Sequence, residues 1–187
     1  MLPKNTNIFF TGEIQVGKST IIRRYLSLTG LSADGFMTYW EPGGDGTRNL
    51  YLSRFDCDAR PAERYLLARD EGLGRVKTDN INAAFDRHGA DILRASGKRD
   101  VIIMDELGKL ESDAQDFQRA VMQLLDSDTP VLGVIKPIRT EFLNKIRNDR
   151  LSIVREVTVQ NRDAELQRLL SIPNSRKPDS GDPSRRG

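Results

Sequence analysis

At 187 residues, with 37% hydrophobic and 30% charged side chains, the chain has enough material for one sizeable core and too little for two. Lysine and arginine number 29 against 27 acids, and the excess lies near the end, where Arg176, Lys177, Arg185 and Arg186 face only Asp179 and Asp182. The remaining body is neutral, so no basic face for nucleic acid is expected. A single cysteine, Cys57, excludes an internal disulfide, a single histidine, His88, excludes a His/Cys metal cluster, and no apolar leader or 18-residue apolar run is visible. The expectation is a cytoplasmic protein that neither enters a membrane nor is exported.

Ile8-Phe9-Phe10 reads as a short buried strand. It runs into Gly12-Glu13-Ile14-Gln15-Val16-Gly17-Lys18-Ser19, which fits the phosphate-binding pattern G-x-x-x-x-G-K-[ST]. Ile21, Ile22, Tyr25 and Leu26 then recur at helical spacing until Gly30 stops the pattern. Residues 35–40 and 49–53 read as two strands of a β-hairpin around the glycine-rich turn 41–47. That turn is no second phosphate loop, because neither a lysine nor a strand-to-helix transition follows it. Residues 54–80 carry no clean period; Pro61 reads as the start of a short helix through Leu66 and Leu67, and Gly72 and Gly74 as a loop.

A helix is expected over 81–95, ended by Gly97, with His88 as an ordinary helix-surface residue. The apolar run 101–104 reads as a strand covered on both faces, and it ends in Asp105-Glu106. Ser112 and Gln115 have capping-box spacing ahead of a helix carrying Phe117, Val121, Leu124 and Leu125, which Asp126 and Pro130 break. A strand over 131–135, a short helix over 142–146, a strand over 153–159 and a helix over 162–170 complete the alternation. It predicts one α/β domain over 1–172, a mostly parallel sheet flanked by helices with a β-hairpin insertion. Residues 173–187, rich in Pro, Ser, Gly, Asp and Arg, are expected to be a disordered tail.

The glycines of the first loop let the backbone curl so that N–H groups point at phosphate oxygens, and the following helix adds the positive end of its dipole. Lys18 supplies a charge for the β- and γ-phosphates, and Ser19 a hydroxyl for Mg²⁺. A second metal ligand must come from a neighbouring strand, which Asp105 provides. At a strand end the chain is turning, so Glu106 is able to swing toward the γ-phosphate and act on an attacking water.

Gly12 to Thr20, Asp34-Gly35-Phe36, the run from Val101 through Asp105-Glu106-Leu107-Gly108-Lys109-Leu110-Glu111, and Asn161-Arg162-Asp163 together resemble the small nucleoside-triphosphatase family that includes the cancer-related nucleoside-triphosphatase and its thermophile relatives. D-E-[IL]-G-K-[ML]-E is its most specific mark, and the resemblance spans about residues 7–170 in the same order. It implies a RecA-like P-loop NTPase fold, Mg²⁺, and slow hydrolysis of the β–γ bond of ATP, GTP and other triphosphates.

Carried over, Gly12, Glu13, Ile14, Gln15, Val16, Gly17, Lys18, Ser19 and Thr20 would hold phosphates and metal, Asp105 would assist Mg²⁺, and Glu106 would be the base. Lys109 would reach the phosphates and count with Lys18 and Glu106 as catalytic. Glu111 fits the motif or simply favours the next helix N-terminus. Asn161 and Arg162 would lie beside the base or ribose; otherwise Asn161 caps the last helix and Arg162 is solvated. The family pattern usually has Pro or Gly where this chain has Ile14 and Gln15, and paired acids where it has Tyr39 and Trp40. Arg139 and Arg147 are candidates for an arginine finger. Besides hydrolysis, two functions stay open: a small nucleoside or metabolite kinase, for which no arginine-rich lid is visible, and a nucleotide-dependent switch that meets a protein partner through the Tyr39–Trp40 hairpin.

Overall fold

The computed structural model describes residues 2–44, 46–55, 63–72, 76–77, 80–96 and 99–173. The expectations placed on Cys57, Pro61, Gly74 and Gly97, and on the tail from 174 onward, fall outside the described residues. An eight-stranded sheet runs in the order β5-β4-β3-β2-β6-β7-β1-β8. Its parallel part comprises β2 (Ala33–Pro42), β6 (Val101–Leu107), β7 (Val131–Ile135), β1 (Asn7–Thr11) and β8 (Ser152–Glu156).

Strand β2 has a double duty. Residues 33–37 pair in parallel with β6, while residues 36–42 pair antiparallel with β3 (Arg48–Arg54), so the expected hairpin grows directly out of the parallel sheet. Two further antiparallel strands, β4 (Arg64–Asp70) and β5 (Val76–Lys77), extend it to the edge. The short helix expected through Leu66 and Leu67 is therefore a strand. A register shift opposite Leu50 and Tyr51 lets Leu67 and Ala68 both turn inward while Leu66 stays 54% exposed, which hides the period-two signal.

Strict alternation of side chains divides the core in two. Ile8 and Phe10 of β1 and Val101 and Ile103 of β6 face helices α1 (Lys18–Thr29) and α6 (Arg162–Leu170) through Ile21, Ile22, Leu166 and Leu169. Phe9, Ile102 and Met104 face the other way, onto α4 (Gln115–Leu125) and α5 (Glu141–Asn148) through Phe117, Val121, Phe142 and Ile146. Helix α1 stops as expected: Gly30, at φ 64°, donates its N–H to the Leu26 carbonyl at 2.9 Å.

The helix expected over 81–95 is three continuous pieces, α2 (Ile81–Ala84), a π-helical stretch (Phe85–Gly89) and α3 (Ala90–Ala95). Its wide turn brings Asp86 to the start of α4, where the carboxylate accepts from the N–H groups of Asp116 at 2.8 Å and Phe117 at 3.0 Å. The expected capping box is not formed. The Ser112 hydroxyl has no hydrogen-bond partner, and a side chain from a sequence-distant helix does its work. His88, in the same stretch, stacks on the Tyr65 ring with centroids 3.6 Å apart. Among the described residues no helix is long and apolar enough to cross a membrane.

Candidate active site

Strand β1 is paired on both sides and buried from Asn7 to Phe10, so the chain leaves it at one fixed point on the carboxyl edge of the sheet. From there the loop curls through three residues of positive φ, Gly12 at 123°, Gln15 at 64° and Gly17 at 101°, before α1 begins at Lys18. Gly12 is obligatory: a Cβ there would lie 2.3 Å from the Val157 carbonyl oxygen. Val16 is the one loop side chain sunk into the core, which leaves only its main chain to the loop, whereas Ile14 is 85% exposed at the tip. The Lys18 ammonium spans the curl, donating to the carbonyls of Gly12 at 3.0 Å and of Glu13. Burial holds its pKa below the usual lysine value, against the opposing pull of Glu106 and Asp105.

Across the cleft, the β6–β7 pairing steps from Met104–Gly133 to Leu107–Ile135. Asp105 and Glu106 together thus oppose only Val134. This bulge turns two successive side chains toward the same cleft, which regular pleating forbids. Glu106 absorbs the turn at φ 78°, a left-handed conformation that costs a residue with a Cβ roughly 1–3 kcal/mol. The Ser19 hydroxyl donates to Asp105 Oδ1 at 2.8 Å. Burial pushes the Asp105 carboxyl up to about 6 even against that hydrogen bond.

Glu106 is half-buried, with its Oε1 3.6 Å from the Lys136 ammonium and its Oε2 accepting from the Thr38 hydroxyl at 3.4 Å. The loop, Thr38, Asp105, Glu106 and Lys136 enclose a cleft of about 810 Å³, and Pro137 and Ile138 form its lip. Behind them Glu111 is buried and accepts from the Gly108 N–H, bracing the turn that follows Glu106 rather than the first turn of α4.

The structure brings together the loop residues, Asp105 and Glu106. It leaves Lys109 exposed on the turn after β6, outside the lining of that cleft. Asn161 neither faces the cleft nor caps α6 through its side chain. It closes the preceding loop, accepting from the Thr158 N–H at 2.8 Å and donating to the Glu156 carbonyl at 2.9 Å. Arg162 lies against the outer side of the phosphate loop, lining a separate hollow of about 230 Å³ with Gly17, Thr20 and Arg24. Arg139 and Arg147 line another, of about 480 Å³, beyond Pro137 and Ile138. Tyr39 and Trp40 lie further along β2, outside the cleft lining: Trp40 carries the Arg48 guanidinium 5.2 Å above its ring, and Tyr39 sits beside Tyr51.

Thr38 and Lys136 are polar cleft residues that sequence reading overlooked, along with the apolar Val134, Pro137 and Ile138. Lys136 had a signal, since it follows a buried strand just as Asp105 does, and carboxyl ends of parallel strands carry ligand contacts. Thr38 had none, because only the β2–β6 register brings it beside Glu106.

Fold and cleft together define an α/β protein of the P-loop NTPase class. Within that class the chain belongs to the NTPase family, whose profile matches residues 7–170. The nucleoside-triphosphatase THEP1 of Thermotoga maritima is 31% identical over 169 residues, covering 88% of this chain and 94% of its own. The human cancer-related nucleoside-triphosphatase is 31% identical over 192 residues, covering 91% and 98%. Among solved structures, that of a human cancer-related nucleoside triphosphatase superposes with a TM-score of 0.65 at 26% identity, over 92% of this chain and all of its own. The crystal structure of THEP1 from Aquifex aeolicus gives 0.67 at 23% identity, over 90% and all.

Proposed function

We propose that the chain is a nucleoside-triphosphate phosphohydrolase that opens the β–γ phosphoanhydride bond of ATP, GTP and related triphosphates with Mg²⁺. The observation that carries this reading is Glu106, turned by a strained bulge into the cleft that Lys18 and the phosphate loop enclose. An acid so placed takes a proton from water as the water oxygen attacks the γ-phosphorus, while the β-phosphate oxygen departs with the bond's electron pair. The products are a nucleoside diphosphate and inorganic phosphate. Lys18 and the loop hold the phosphates in line, so positioning supplies much of the acceleration.

The donor set suits magnesium. Ser19 Oγ and Asp105 Oδ1 are hard oxygen ligands, and the buried carboxyl, raised to about 6 by desolvation, is one that a cation would hold ionised. Among the described residues no group of three or more His, Cys, Asp or Glu side chains gathers into a metal cage, as befits an ion carried in largely by phosphates and water. Bound there, Mg²⁺ would neutralise charge on the β- and γ-phosphate oxygens.

Phosphate release from a panel of triphosphates with Mg²⁺, run with and without candidate acceptors, tests the reading. Lys18→Ala is expected to lose both nucleotide binding and turnover. Glu106→Gln is expected to bind nucleotide normally and turn over about 10²- to 10⁴-fold more slowly. Undiminished release by the glutamine variant removes Glu106 from the mechanism, and transfer that requires an acceptor makes the protein a kinase.

A further inference from the structure

We propose that Lys136 is a further catalytic residue, supplying from within the chain the charge on the transferred phosphoryl group for which many enzymes of this class use an arginine, often lent by another protein. The proposal rests on the hydrolase reading above and deepens it.

Topology makes the case first. Strand β7 lies between β6, which carries the acids near its carboxyl end, and β1, which ends at the phosphate loop, so the residue leaving β7 emerges between base and cradle. That residue is Lys136. Its ammonium is 3.6 Å from Glu106 Oε1 and lines the cleft that Lys18 also lines.

The lysine is also held from three sides. Its N–H donates to the Leu107 carbonyl at 2.8 Å, its own carbonyl accepts from Arg147 Nη2 at 2.8 Å, and its aliphatic stem packs so closely over Gly108 that a Cβ there would come within 2.9 Å of Lys136 Cδ. The Lys136 backbone is anchored just past the bulge that aims Glu106, and the ammonium is left on a short leash between that carboxylate and the phosphate loop. The two arginines that the sequence offers as candidates are placed otherwise. Arg139 lines the neighbouring hollow, and Arg147 is engaged in holding Lys136 itself.

In the ground state the ammonium pairs with Glu106. As charge grows on the γ-phosphoryl oxygens it is shared with them, so its contribution is larger in the transition state than in the bound substrate. Lys136 is thus expected to act on kcat and on the triphosphate, and to matter little to a diphosphate.

Lys136→Met keeps the unbranched stem over Gly108 and removes the charge, Lys136→Gln is a second neutral variant, and Lys136→Arg restores charge. Steady-state hydrolysis and calorimetric binding of the Mg²⁺–nucleoside diphosphate are compared with wild type and with Arg139→Ala. The neutral variants are expected to lose at least about 100-fold in kcat, with diphosphate Kd unchanged within about threefold. Lys136→Arg is expected to recover at least about tenfold over Lys136→Met, and Arg139→Ala to stay within about twofold of wild type. Neutral variants within about threefold of wild-type kcat would sink the proposal. So would diphosphate affinity that falls in step with kcat, a failure of arginine to rescue, or a loss that appears in Arg139→Ala instead. Absence of phosphate release by the wild-type protein is a different outcome, the failure of the hydrolase reading itself.

Discussion

Glu106 shows what one residue can store. A glycine at φ 78° would be relaxed, but a glycine has no carboxylate, so the fold carries the strain of a left-handed glutamate whose side chain lines the cleft. Gln15, at φ 64°, also adopts a conformation that glycine takes freely. Glu111 is the third costly residue. Burial pushes it up to about 7 from an ordinary 4.5, and its carboxylate braces the Gly108 N–H. The folded state therefore holds this proton more tightly than the unfolded chain. The contribution to stability is full below about pH 4.5 and is lost as pH rises through about 7. Glu111→Gln keeps an acceptor for Gly108 and has no proton to lose. Wild type is expected to fall relative to it by on the order of 3 kcal/mol between pH ~4.5 and pH ~7.5, read from urea midpoints. Midpoints that move in parallel across that range would assign the slope to other groups.

At the scale of elements, distant parts of the chain finish each other's ends. Helix α4 starts without a local cap and takes one from Asp86, 30 residues earlier, and its C-terminal Leu125 carbonyl accepts from the buried Asn7 amide of β1 at 2.9 Å. Asp86→Ala is expected to cost about 1 kcal/mol in denaturant unfolding, with nucleotide turnover unchanged. A cost under about 0.3 kcal/mol would mean that solvent caps this helix equally well. The two strand irregularities have opposite legibility. The β4 bulge hides a strand by placing Leu67 and Ala68 on one face, while the β6 bulge is announced by a pair of acids directly behind an apolar run.

For the whole molecule, the cleft is a property of strand order. Placing β7 between β1 and β6 sets the loop and the acids on either side of an opening that neither strand makes alone. A ligand that grips both sides stabilises the native state by about 2.7 kcal/mol at a hundredfold excess over Kd, which for a domain of this size raises Tm by about 5–10 °C. That rise is expected with Mg²⁺ and a non-hydrolysable triphosphate, and is expected to vanish in Lys18→Ala. A flat melting temperature for wild type would mean that the cleft does not hold the nucleotide.

Local signals in the chain were enough for the phosphate loop and its helix, because glycine placement, apolar spacing and a lysine at a set distance act within a few residues. The alternation of strands and helices and the acids closing β6 were legible for the same reason. Tertiary structure alone decided which strand ends meet. Lys136 and Thr38 join Glu106, Lys109 stays outside, and Asp86 displaces Ser112 as the cap, since these contacts depend on how segments 30 to 68 residues apart in the chain are brought together. Such contacts are selected by how the two apolar faces of the sheet are buried together, and no short window of sequence contains that balance.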